Sequence, residues 1–173
     1  MQAQYVGEAV GRLLEDEDIP GVQLAWDLNI SEQLVSHYKN NRRKMQPDIA
    51  EHSIRKLDNP FYIMEILHKF SDHCSPPVFR GKSVEEHRLA FEEVTITEAR
   101  EAIETLEEVS FVKSPSLLTN DELEKIKYAI GELLDIEAWA KNLAAILCAE
   151  YQISWKEAYK SRIPTWKAKG WME

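Results

Sequence analysis

Residues 20–44 read PGVQLAWDLNISEQLVSHYKNNRRK, and their spacing decides how the first part of the chain folds. Leu24, Ala25 and Leu28 make one apolar edge of a short helix, and Ile30, Val35 and Tyr38 make the matching edge of a second. Two helices of about eight residues each that cross steeply need this pattern. Ala25 is small where the helices are expected to approach most closely. The turn falls on Leu28, Asn29, Ile30 and Ser31, and asparagine is the residue that, after glycine, best accepts a left-handed backbone. Ser31 is placed to cap the second helix by accepting a hydrogen bond from its free N–H groups. That helix is expected from Glu32 to Lys39, with Glu32, Gln33, Ser36, His37 and Lys39 off the apolar edge. A basic cluster, Lys39 with Arg42, Arg43 and Lys44, follows at once.

Working outward, the flanks read as three more helices. Upstream, Val6, Ala9, Val10, Leu13 and Leu14 repeat at helical spacing and stop at the acidic run Glu15, Asp16, Glu17, Asp18. Downstream, Pro47 opens a helix carrying Ile49, Ala50, Ile54 and Leu57. Asn59 and Pro60 then supply a cap and a first-turn proline for a helix through Ile63, Met64, Ile66, Leu67 and Phe70. The expectation is an all-α fold: five helices in residues 1–70, with the turn motif at the second and third.

On Leu24-Ala25, Asn29-Ile30-Ser31, Val35-Ser36, Tyr38, Asn41-Arg42-Arg43 and Pro47, the first seventy residues resemble the phage-repressor (Xre/Cro-type) helix-turn-helix family. In that family the second motif helix lies in the major groove and dimers read two half-sites. The resemblance implies double-stranded DNA as partner. It makes Glu32, Gln33, Ser36 and His37 the candidate base contacts, and Lys39, Asn40, Arg42, Arg43 and Lys44 the candidate phosphate contacts. Gly21 stands where family members usually carry a glutamine that supports a phosphate or base contact, and asparagines at 29 and 41 replace the family's glycines.

Charge is segregated. The chain carries a net −9, and residues 1–70 hold eight Lys/Arg against eleven Asp/Glu. Yet the acids of residues 15–18 precede the motif and the bases of residues 39–44 follow it. A local basic patch contacts phosphates even on an acidic protein, with an affinity that falls steeply with salt.

At 173 residues and 44% hydrophobic, the chain can bury one good core or two small ones. No apolar run is long enough to span a membrane, and the polar N-terminus does not look like a signal peptide. Cys74 and Cys148 give no disulfide framework and fit a reducing cytoplasm.

Two prolines and a glycine in SDHCSPPVFRGK, residues 71–82, interrupt the helical pattern. The expected division is a helix-turn-helix domain over 1–70, a linker over 71–95 with a short helix at 84–92, and a helical oligomerisation or interaction region over 96–173. Thr95-x-x-Glu98 resembles a capping box before Ala99, Ala102, Ile103, Leu106 and Val109. A second box, Thr119-x-x-Glu122, opens the longest helix, expected over 121–151. Its apolar residues spread around the cylinder, and Leu123, Ile126, Ile130, Leu133, Trp139 and Leu143 are the candidates for a homodimer interface.

From Trp155 to Trp171 the tail interleaves Tyr159 and Trp166 with Lys156, Lys160, Arg162, Lys167 and Lys169 against a single acid, Glu157. Aromatics among cations hold nucleic acid or clamp an acidic protein surface; docking onto protein, within the chain or across a dimer, is the favoured reading. No catalytic constellation appears, and the chain is not expected to be an enzyme. His68, His73 and Cys74 lack a fourth ligand, so neither metal nor cofactor is expected. Paired glutamates such as Glu85-Glu86 and Glu107-Glu108 read as solvated helix surface. The whole points to a sequence-specific transcriptional regulator, a dimeric repressor. The alternative is a helix-turn-helix-fold module that binds and modulates another protein.

Overall fold

Among residues 2–173, which the computed structural model describes, eight α-helices follow one another: α1 (Gly7–Asp16), α2 (Gly21–Asp27), α3 (Glu32–Lys39), α4 (Pro47–Lys56), α5 (Pro60–Phe70), α6 (Arg88–Glu108), α7 (Asn120–Glu150) and α8 (Trp155–Ala168). A 3-10 turn at Pro115–Leu117 precedes α7. The all-α expectation holds. The extended backbone that pairs among the described residues is an isolated antiparallel bridge between Gln4 and Met45. No described helix is long and apolar enough to cross a membrane.

The contacts divide the chain into two units, residues 1–78 with 147–173, and residues 79–146. The C-terminal helix α8 therefore belongs with the first seventy-eight residues.

In the first unit, one face of each helix supplies the core. Val6, Val10 and Leu13 meet Leu24, Val35, Tyr38, Met45, Tyr62 and Ile66, all nearly or fully buried. Fully burying each such side chain contributes roughly 1.5–3 kcal/mol. Proline opens α4 and α5, where its missing N–H has no helical partner to lose. Asn59 caps α5 by accepting from the Tyr62 N–H at 2.9 Å. The same side chain donates to Glu17 Oε1 at 2.9 Å, so one buried asparagine ties the end of α1 to the start of α5. Arg12 on α1 adds an ion pair to Glu65 on α5 at 3.4 Å.

The second unit is built on α6 and α7, which run antiparallel: Phe91 lies edge-on to Trp139, 5.4 Å between centroids, while Val109 lies near Glu124 and Lys125. Asn142 on α7 is fully buried. It donates to the Ala138 carbonyl and accepts from the Phe79 N–H, each at 2.9 Å.

The second expected capping box forms as drawn. Thr119 Oγ1 accepts from the Glu122 N–H at 3.3 Å, and a Glu122 carboxylate oxygen accepts from the Thr119 N–H at 2.7 Å. The first does not. α6 runs unbroken through Thr95 and Glu98, beginning at Arg88 inside the stretch assigned to a linker, so there is no separate helix over 84–92. Thr95 bonds the Phe91 carbonyl at 2.6 Å, the intrahelical outlet for a threonine hydroxyl. The cap is His87, whose Nδ1 accepts from the Leu89 N–H at 3.2 Å. Burial of Phe91 extends the apolar pattern backward past the expected start.

Candidate nucleic-acid interface

The α2–α3 corner is built by two matching turns. At the first, Asn29 takes φ +53°, which lets the Ile30 N–H reach back to the Ala25 carbonyl at 2.9 Å. This is the six-residue closure that ends a helix on a left-handed residue. Ser31 is extended, and its Oγ accepts from the Leu34 N–H at 3.2 Å. At the second, Asn41 takes φ +52° and the Arg42 N–H returns to the His37 carbonyl at 2.8 Å. Both asparagines thus hold conformations that glycine adopts more freely.

Between these turns α3 is two-faced. Val35 and Tyr38 are 2% exposed and lock the helix onto the core, where burial pushes the Tyr38 phenol up, Arg43 draws it down and Asp48 pushes it up. Glu32, Gln33 and Ser36 point to solvent, and His37 is half-buried. Lys39, Asn40, Arg42, Arg43 and Lys44 are all exposed. Among the described residues, no ion pair takes up Lys39, Arg42, Arg43 or Lys44. Asn40 is partly occupied: its amide donates to the Ser36 carbonyl at 2.8 Å.

The basic loop is held from behind by the N-terminal segment. Gln4 and Met45 exchange backbone hydrogen bonds of 3.1 and 2.8 Å, and Met45 is fully buried. The Gly7 N–H donates to Asn41 Oδ1 at 2.8 Å, and Lys44 Nζ lies 5.3 Å from the Tyr5 ring centroid. None of this was read from the sequence. The available signal was Gly7, a glycine at the very start of an otherwise good helix.

No family model matches this chain, and neither does any curated protein or solved structure. The chemistry of the candidate interface therefore stands on its own geometry: a short helix with polar side chains on its outer face and exposed cations at and beyond its C-terminal end. At Gly21, a Cβ would meet only Val35 Cγ1, at 3.7 Å, so the position has room for a side chain.

The six candidate dimer residues divide. Leu123, Ile130 and Leu133 are 41%, 51% and 44% exposed, while Ile126 and Leu143 are half-buried. Trp139 is held within its own unit between Phe79, at 4.6 Å, and Phe91.

The tail begins as a docked element. The Lys156 N–H donates to Asp58 Oδ1 at 3.0 Å and its ammonium to the Arg55 carbonyl at 2.6 Å, so α8 starts on the end of α4. Trp155 is buried with Tyr159 edge-on at 4.9 Å. Trp171 is 69% exposed, with Lys169 Nζ 4.3 Å from its centroid. His68 and His73 bond each other through Nε2 and Nδ1 at 2.8 Å, and the Cys74 thiol turns to the Asp72 carbonyl.

Proposed function

We propose that the chain is a sequence-specific DNA-binding transcriptional regulator, a dimeric repressor of phage or bacterial type. One observation carries the reading: α3 presents Glu32, Gln33 and Ser36 outward from a helix whose other face is sealed into the core, with Lys39, Arg42, Arg43 and Lys44 exposed at its end. In a major groove, the Gln33 amide pairs bidentately with adenine, and Ser36, Glu32 and His37 reach neighbouring base edges. The cations, with Asn40, hold phosphates and set the register. A dimer formed through Leu123, Ile130 and Leu133 would place two such helices in successive turns of the groove and exclude polymerase sterically.

A second reading is favoured by Trp26, which is 72% exposed on α2: a module that uses the same fold to bind and modulate a protein. Selection from a random duplex pool at low and physiological salt separates the two. Enrichment of a palindromic site by the intact chain, lost with Gln33→Ala and weakened at all sites by Arg42→Ala with Arg43→Ala, supports the DNA reading. No enrichment at either salt transfers the weight to protein binding through Trp26 or the tail.

A further inference from the structure

Inward positions of α6 recur at residues 91, 95, 98, 102 and 105, and those of α7 at 129, 132, 136 and 139, each buried or half-buried. Alternating steps of three and four are the signature of a packed helix–helix seam, whose positions are ordinarily apolar. Here every member is apolar or threonine except two, Glu98 and Glu132. They face each other across the seam, and Glu101 joins them from the next turn of α6. Oxygen atoms from Glu98, Glu101 and Glu132, one from each, all lie within 4.8 Å of one another.

Glu132 is 9% exposed, and among the described residues its Oε2 has no hydrogen-bond partner. The Tyr128 phenol approaches the same carboxylate, which raises the phenol's own pKa. No ion pair among the described residues reaches any of the three. The charged groups that act on Glu98, namely Glu101, Asp135 and Glu132, are all carboxylates.

Like charges that face one another repel, and a positive charge between them removes the repulsion. A proton bridges two oxygens, and here three converge. Oxygens on a shared ion are separated by at most twice the ion–oxygen distance, about 4.2 Å for Mg²⁺ and about 4.8 Å for Ca²⁺. An all-carboxylate donor set selects a hard ion over zinc or copper. We infer that Glu98, Glu101 and Glu132 form a binding site for one hard divalent cation, Ca²⁺, Mg²⁺ or Mn²⁺, that clamps α6 to α7, with water completing the coordination.

The test is titration of the full chain, first stripped with EDTA, with Mn²⁺, following free Mn²⁺ by electron paramagnetic resonance, with Ca²⁺ and Mg²⁺ as competitors. The expected result is saturable binding of one ion per chain, weakened at least tenfold in Glu98→Gln and Glu132→Gln and unchanged in Glu107→Gln. Mn²⁺ should also raise the midpoint of thermal unfolding of the parent chain but not of those two variants. Should Glu132→Gln fail to fold, Glu101→Gln, at an exposed position, carries the same comparison. Absence of saturable binding by the parent chain, or binding that survives these substitutions, overturns the inference.

Discussion

The backbone N–H of Gly7 donates to the side-chain oxygen of Asn41 across 2.8 Å, joining the first turn of α1 to the left-handed residue that ends α3. The approach is so close that a Cβ at Gly7 would lie 2.6 Å from both Asn41 Oδ1 and the Lys39 carbonyl. One of those atoms is backbone and cannot rotate away. Gly7→Ala is expected to destabilise the chain by about 1–3 kcal/mol through overpacking, measured by urea denaturation. Asn41→Gly keeps the positive φ and loses only the hydrogen bond, so it should cost about 1 kcal/mol. If the alanine variant is as stable as the parent, the α1–α3 clasp is not the constraint it is taken to be.

Tyr62 buries its hydroxyl without a hydrogen-bond partner among the described residues. Ser53, whose hydroxyl donates to the Ala50 carbonyl at 2.7 Å, lies near enough to lower the Tyr62 pKa, by less than burial raises it, without making a hydrogen bond of good geometry to the phenol. Burial pushes the Tyr62 phenol from its ordinary 10.0 up to about 12. Tyr62→Phe is therefore expected to be neutral or to stabilise by up to about 1 kcal/mol. The sign of the pH effect follows from proton binding: between pH 10.0 and about 12 the folded chain keeps a proton that the unfolded chain loses, so stability falls as pH rises through that window. The phenylalanine variant should lose this part of the alkaline decline in a denaturation series.

Glu122 is the acid of the capping box on α7. Its hydrogen bond from Lys113, then those from the Thr119 backbone and hydroxyl, lower its carboxyl from 4.5 to about 2. Between those values the unfolded chain binds the proton and the folded chain does not. The contribution is present above the ordinary carboxylate range and is lost as pH falls toward 2. Glu122→Gln should flatten that part of the acid limb, and a limb of unchanged slope would show that the box is not formed in solution.

Gly21 occupies the first position of α2, where the resembled family carries a glutamine and where a side chain has room beside Val35. On the DNA reading, Gly21→Gln should tighten binding to a selected duplex by roughly tenfold, the worth of one added hydrogen bond of about 1.4 kcal/mol. Fluorescence anisotropy at two salt concentrations measures it. Unchanged affinity would separate α2 from the phosphate backbone.

What was legible before the structure was local. Leu24, Ala25, Val35 and Tyr38 repeat at helical spacing, Asn29 tolerates a left-handed backbone, and Ser31, Asn59 and Thr119 cap the helices that follow them. Each of those properties is set by a residue and its neighbours within a turn or two, which is why α2, α3, α5 and the start of α7 follow from spacing alone. Thr95 and Glu98 show where that logic stops. Their spacing matches a capping box as well as Thr119 and Glu122 do, and only the packing of Phe91 against Trp139 makes the helix continue through them.

By itself, then, the sequence determined an all-helical chain, the corner at Asn29 and the cation run beyond α3, because helix periodicity, turn chemistry and charge are properties of short segments. The tertiary structure decided that Met45 pairs with Gln4, that Lys156 brings α8 onto the end of α4, and that Glu98 and Glu132 face each other across one seam. Those relationships join residues from 34 to 101 positions apart. They depend on how complete helices pack, and no local pattern carries that information.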